Sequence, residues 1–142
     1  MAIRFNNHDK QFNLKNKRKV VSWIKEIVSG YGKATGEISI IFTSDDYILE
    51  INNQFLNHNF YTDIITFDYS TENIIEGDIF ISIDTVLSNS KTFNTTFNQE
   101  ILRVVIHGVL HLIGFKDKTT KEKLVMRRNE DLALITFENN EC

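Results

Sequence analysis

The sequence contains no proline and only one cysteine, which is its last residue, Cys142. A single cysteine cannot close an internal disulfide, so the fold depends on its hydrophobic core. Long apolar runs are also absent, whereas a membrane-spanning helix requires about 18 or more consecutive apolar residues. Met1 leads into a charged segment without the apolar stretch of a secretion signal. We therefore expect a cytoplasmic protein that has no membrane-spanning segment.

Basic residues are missing from the middle of the chain. Residues 44–84 contain nine acidic and no basic side chains, whereas residues 1–43 contain eight basic and three acidic ones. The net charge of −3 conceals this segregation and a cluster of cations near the C-terminus: Lys116, Lys118, Lys121, Lys123, Arg127 and Arg128. An anionic ligand would be attracted to the two ends of the chain, although a solvated helix face explains the cluster equally well.

The 142 residues, of which 42% are apolar, suffice for one hydrophobic core, and this composition excludes disorder. No repeat or linker divides the chain, so residues 1–142 are expected to form one domain. Apolar spacing predicts four strands and four or five helices in the order β-α-β-α-β-β-α-α-α, hence an α/β or α+β domain with a mixed sheet. The strands are expected at 3–6, 37–43, 64–69 and 77–83, and the helices at 14–29, 45–57, 84–92, 97–113 and, from 119 or 120, to 134.

The segment Phe97–Ile113 has the strongest helical pattern in the chain, with apolar residues on nearly every side. We expect it to be a buried central helix that ends at Gly114. Four of its polar residues share one sector of about 80° on the helix surface. They are Glu100, Arg103, His107 and His111.

His107 and His111 are four residues apart, so both imidazoles can approach one metal ion from the same face of the helix. Gly114 allows a left-handed turn that would return Asp117 to the pair as a third ligand. The pattern H-x-x-x-H-x-x-G-x-x-D therefore predicts a metal site at the end of the central helix, with one zinc ion per chain expected. Three protein ligands leave a position for a water molecule, whose pKa on zinc falls to about 7, and catalysis is assigned to this water.

Two other interpretations of the histidine pair remain open. The histidines could be core residues with internal hydrogen bonds, since a buried imidazole without partners costs about 1–3 kcal/mol. A zinc peptidase would carry H-E-x-x-H, with the glutamate as general base, but position 108 is glycine. Hydrolysis of peptides is therefore a minor alternative. A glycine inside a helix costs about 1 kcal/mol relative to alanine and is best tolerated where a strand or ligand comes close.

Three segments together resemble one protein family. H-G-V-L-H-L-I-G-F at 107–115 resembles the H-G-x-L-H-L-x-G-Y signature of the YbeY family, bacterial metal-dependent endoribonucleases. T-D-I-I-T-F at 62–67 is similar to that family's T-D-V-L-S-F, and G-D-I-F-I-S at 77–82 to its G-D-I-x-I-S. The resemblance covers roughly residues 35–135 and implies a zinc enzyme that cuts single-stranded RNA. It further implies maturation of the 3′ end of small-subunit (16S) ribosomal RNA, ribosome quality control, and ribosomal RNA and the small subunit as partners.

The metal ligands depart from the family pattern. The family has a third histidine where this chain has Asp117, and an alignment with one inserted residue would place Lys118 there and leave no third ligand. We adopt the alignment without a gap, because aspartate is a normal zinc ligand and lysine repels a cation. Two histidines and a carboxylate form a harder ligand set than three histidines, so manganese and iron also remain open.

A second departure concerns RNA binding. The family has an arginine where this chain has Leu56, and leucine cannot contact a phosphate. We expect Lys116, Lys118 or Arg103 to bind the substrate instead, and His58 is a further polar residue of the same loop.

The family motifs also contain two aspartates, Asp63 and Asp78, for which hydrogen bonding at strand ends is an equally good explanation. The two departures leave a non-catalytic alternative open. In that alternative the protein is a ribosome assembly factor, weakly active or inactive, with a structural metal site.

Overall fold

The computed structural model describes residues 2–56 and 62–139 and contains one mixed four-stranded sheet. Its strands are β1 (Ile3–Asn7), β2 (Ala34–Thr43), β3 (Ile64–Asp68) and β4 (Ile74–Ser82), in the spatial order β1-β2-β4-β3. β1, β2 and β4 are parallel, whereas β3 runs antiparallel to β4 at the edge. The parallel strands need crossover connections, and the helices between them supply these.

Five helices surround the sheet in the described part of the chain. They are α1 (Lys17–Gly30), α2 (Asp45–Leu56), α3 (Ile83–Thr92), α4 (Phe97–Ile113) and α5 (Thr120–Asn139). The order of elements and the mixed sheet confirm the predicted α/β fold. None of the helices described is both long enough and apolar enough to cross a bilayer.

Several boundaries differ from those predicted. The first helix begins at Lys17 because Asn16 has a left-handed backbone conformation, with φ of 57°, although the preceding Leu14 is buried. β2 and β4 begin three residues earlier than expected because Ala34 pairs with Ile74 across the sheet. Such pairing is a long-range contact that the local pattern does not contain.

The two faces of the sheet are covered differently. α1 and α4 pack on one face against alternate residues of the strands, such as Ile40 and Ile79. α2 covers the other face, where Ile48 contacts a smaller cluster that includes Phe80. The alternation follows from the two-residue period of a strand. α4 is thus enclosed by the sheet on one side, and α3 and α5 also pack against it.

α4 approaches the sheet most closely at Gly108. A Cβ atom at this position would lie 2.8 Å from Ile79 Cγ2 and 2.9 Å from Ile64 Cδ1. No larger side chain fits without displacing the two isoleucines. This close approach confirms the sequence-based explanation for a glycine inside a helix, and it excludes a glutamate such as a zinc peptidase carries next to its first histidine.

Candidate metal centre

The ends of α4 are defined by local interactions. At its N-terminus the Thr96 side chain accepts from the Gln99 backbone N–H and the Gln99 side chain accepts from the Thr96 N–H, which is a capping box. At its C-terminus Gly114 has φ of 126°, a conformation that side chains disfavour. The chain turns back here, as the Phe115 N–H bonds to the Leu110 carbonyl, and this turn returns Asp117 to the helix.

Three side-chain atoms meet at the end of α4. His107 Nε2 and His111 Nε2 are 3.0 Å apart, and Asp117 Oδ2 lies 3.1 Å from the first and 3.3 Å from the second. Tetrahedral zinc ligands at about 2.0–2.1 Å from the ion would be about 3.3 Å from one another. The structure thus brings together the three residues that the sequence predicts as a group able to hold a metal.

The hydrogen bonds of the two histidines fit such an ion. His107 Nδ1 lies 2.6 Å from Glu130 Oε2, and His111 Nδ1 lies 3.0 Å from the Phe115 carbonyl oxygen. A carboxylate and a carbonyl accept hydrogen bonds, so each Nδ1 is the donor and carries a ring hydrogen. In the neutral form of the rings, which is the form that binds a metal, both Nε2 lone pairs then face one another and a carboxylate oxygen. A shared cation satisfies this arrangement, whereas core histidines with internal hydrogen bonds would leave these acceptors opposed.

Glu130 of α5 holds His107 in this orientation. Its side chain is 6% exposed, and its second oxygen, Oε1, accepts from Arg103 Nη1 at 2.9 Å. Arg103 Nη2 donates to Asp131 Oδ1 at 2.7 Å, so the guanidinium is held between two carboxylates of α5. A carboxylate on the outer nitrogen of a metal-binding histidine fixes the tautomer and the ring orientation.

The same contacts determine the charge of His107. Burial lowers its pKa, but the hydrogen bond and charge of Glu130, together with the charges of Asp117 and Asp63, outweigh burial and raise the pKa above its ordinary value. Protons and a metal ion therefore compete for this ring near neutral pH.

The role of Glu130 was not predicted from the sequence, although a signal was available. Glu130 occupies a buried position in the stripe of α5 that also contains Met126, Ala133 and Phe137. The spacing of four, three and four residues is that of a core-facing helix side. A glutamate in such a stripe needs a buried partner.

A cavity of about 610 Å³ adjoins His107 and Asp117. Its walls come from α3, α4, α5 and the start of β3, and Glu100 and Asp63 are among the lining residues. Burial raises the pKa of Glu100, to which Asp63 and Glu130 contribute while Arg103 and Arg127 oppose them. Burial also raises the pKa of Asp63, and His107 opposes the shift. The acidic lining favours a cation near the histidines.

The predicted substrate-binding residues occupy different places. Arg103 lines the cavity, with both terminal nitrogens already paired, whereas Lys116 and Lys118 are exposed on either side of Asp117 and are not among the described lining residues. Leu56 is 41% exposed at the end of α2, and His58 lies outside the described residues.

Of the two family-like aspartates, only Asp63 reaches the cavity within the described part of the chain. The side chain of Asp78 instead accepts a hydrogen bond from the Tyr69 hydroxyl at 3.3 Å. Asp78 thus makes a hydrogen bond within the sheet, but from the middle of β4 rather than from a strand end.

Comparison with known proteins gives a consistent result. The family model described as Endoribonuclease YbeY matches residues 3–138. Proteins named Endoribonuclease YbeY from Parabacteroides distasonis and Azobacteroides pseudotrichonymphae are 52% and 48% identical over 134 residues, covering 94% of this chain and 94% and 96% of theirs. The solution structure of TM1509 from Thermotoga maritima is similar with a TM-score of 0.67 and 28% identity, over 98% of this chain and 93% of that one.

Proposed function

Because the chain belongs to the YbeY family of endoribonucleases, we propose that the cleft of His107, His111 and Asp117 hydrolyses phosphodiester bonds of single-stranded RNA. The enzyme is a hydrolase acting on RNA, and residues 1–142 act as one endoribonuclease-like domain. One observation carries the assignment of the site: two imidazole Nε2 atoms, 3.0 Å apart on rings whose Nδ1 atoms donate elsewhere, lie 3.1 and 3.3 Å from one carboxylate oxygen.

His107 Nε2, His111 Nε2 and Asp117 Oδ2 would hold the ion, which we propose to be zinc, one per chain. A bound divalent ion supplies Lewis-acid chemistry, activating water and polarising a phosphate oxygen. The carbonyl of Phe115 orients His111, and Glu130 orients His107. Arg103 holds Glu130 in place. We assign it this positioning role, because both of its terminal nitrogens already donate to carboxylates.

Lys116 and Lys118 are proposed to bind RNA phosphates at the outer edge of the site. Both are exposed, and they flank the third metal ligand. A flexible ammonium group binds a phosphate as a point charge, which is suited to a backbone of variable sequence. Removing both lysines is expected to raise KM more than it lowers kcat.

The natural substrate is proposed to be ribosomal RNA, in particular the 3′ end of 16S RNA on the small subunit, with a further role in ribosome quality control in the cytoplasm. The three family motifs and the family's function support this finer assignment. A structural metal site in an inactive assembly factor would need four protein ligands. Among residues 2–56 and 62–139, the candidate group contains three, which favours catalysis.

Elemental analysis of purified protein, alone and as the H111A and D117A variants, tests the site. We expect about one divalent ion per chain, lost in both variants, and chelator-sensitive cleavage of a labelled single-stranded RNA. D78N is the matched control, because Asp78 is an aspartate that contacts Tyr69 and should leave metal content unchanged. Loss of metal in H111A but not in D117A would remove Asp117 from the ligand set. Protein that binds no metal would refute the catalytic assignment.

A further inference from the structure

The cavity beside the histidines contains an aromatic ring that the metal site does not use. Phe93 follows the last residue of α3, in the turn that leads into α4, and it is 60% exposed although it is large and apolar. Single exposed apolar residues are common on protein surfaces. Phe93 differs from Tyr69, which is equally exposed, because Phe93 lines the same cavity as His107 and Asp117.

Two cations of α5 line this cavity as well. Lys123 is exposed, and the Arg127 side chain is 61% exposed with its Nε 4.0 Å from Asp131 Oδ1, which is the outer limit of an ion pair. They belong to the basic cluster that the sequence places at 116–128. The cavity thus has carboxylates near His107, at Asp63, Asp117 and Glu130, and exposed positive charge at Lys123 and Arg127.

The dimensions suit a nucleotide next to the cleavage point. The cavity follows α4 from Glu100 to His107, two helical turns or about 10 Å. Its volume of about 610 Å³ lies within the range of small-molecule sites, about 300–1,000 Å³.

We infer that Phe93 stacks on a base of the RNA while Lys123 and Arg127 contact the phosphates that flank this base. The inference rests on the proposed function and adds a base-binding subsite to it. Stacking on an aromatic ring tolerates any base, because every base has a π-face. A duplex keeps its bases stacked on one another, so this subsite selects single-stranded or unpaired RNA.

The test compares the wild type with F93A, F93W and Y69A. Tyr69 is the matched control, since it is an aromatic residue with the same 60% exposure outside the described lining. Binding of a nuclease-resistant 2′-O-methyl single-stranded RNA to metal-loaded protein is measured by fluorescence anisotropy, and KM and kcat with the cleavable RNA. A set of RNAs with one abasic position each is measured in parallel, and a hairpin RNA serves as the paired substrate.

F93A is expected to weaken binding and raise KM by about 5- to 100-fold, because this is the affinity that one base–aromatic stacking contact contributes. The value of kcat should change little. F93W should retain binding, and Y69A should bind as the wild type does. An abasic substitution at one position should weaken binding to the wild type but not to F93A. The base and the Phe93 ring are the two partners of one contact, so removing the second partner has no further effect once the first is gone. F93A should also lose preference for the single strand over the hairpin.

Two results would overturn the inference, and they can be distinguished. Wild-type protein that binds and cleaves RNA, with F93A doing so equally well, would refute the subsite and leave the proposed function intact. Wild-type protein that neither binds nor cleaves any of the RNAs would refute the proposed function and the subsite together. Because Phe93 is exposed, thermal melting of F93A should match that of the wild type, and a large loss of stability would contradict the assigned position.

Discussion

Replacing Glu130 with glutamine removes one charge at nearly constant volume from the carboxylate that orients His107. Glu130 Oε2 lies 2.6 Å from His107 Nδ1, and Oε1 lies 2.9 Å from Arg103 Nη1, so both oxygens accept hydrogen bonds. A glutamine amide offers one oxygen that accepts and one NH2 group that only donates. If its oxygen faces His107, its NH2 group faces the guanidinium, which can only donate.

The opposite orientation of the amide is unfavourable for a different reason. An NH2 group facing His107 Nδ1 needs an acceptor there, so the ring hydrogen moves to Nε2, the atom that would bind the metal. Either orientation therefore weakens the site. Changes of this kind in the partner of a metal-binding histidine reduce metal affinity by about 10- to 100-fold, or about 1.4–2.8 kcal/mol.

The assay is a competition titration of metal-free protein with zinc and a chromophoric chelator at a pH above the raised pKa of His107, where protons do not compete. D131N is the control, because Asp131 binds the same arginine but is 53% exposed and bonds to Arg103 rather than to His107. We expect D131N to stay within about threefold of the wild type. An E130Q protein that melts like the wild type and binds zinc as tightly would refute the argument.

Three further predictions concern the same region. G114A should lower the free energy of unfolding in urea by about 1–2 kcal/mol, because Gly114 has φ of 126°. The variant should also bind zinc less tightly, because Gly114 sets the turn to Asp117, and unchanged zinc affinity would contradict this. Burial raises the pKa of Glu100 above its ordinary value of 4.5, so the stability retained below that value is lost as the pH rises through the folded pKa. E100Q, which cannot ionise, should therefore gain stability relative to the wild type as the pH rises above about 4.5, and a difference in unfolding free energy that does not change with pH would contradict this. D117H should bind zinc more selectively over manganese, because it softens the ligand set, and elemental analysis after growth with both metals will show whether the ratio shifts.

Local pattern was sufficient for most of the fold. Periodicity and end signals placed α4, its polar sector and the glycine that ends it, because a helix of this kind depends on residues three or four positions apart. Strand pairing could not be predicted from the local pattern, since Ala34 and Ile74 meet only across the sheet and their pairing lengthens both strands. Asn16 shortened α1 through a backbone conformation that the apolar spacing does not report.

The sequence by itself determined which three candidate ligands come together. His107, His111 and Asp117 lie within eleven consecutive residues on one helix and one turn, so their convergence follows from helix geometry and a left-handed glycine. Only the tertiary structure decided what surrounds them. Glu130 lies on α5 and Phe93 directly follows α3. The period of a helix indicates which of its sides is buried but not which residue of another element that side contacts. The packing of α3 and α5 against α4 thus orients His107, places the Arg103 guanidinium against two carboxylates of α5 and forms the cavity.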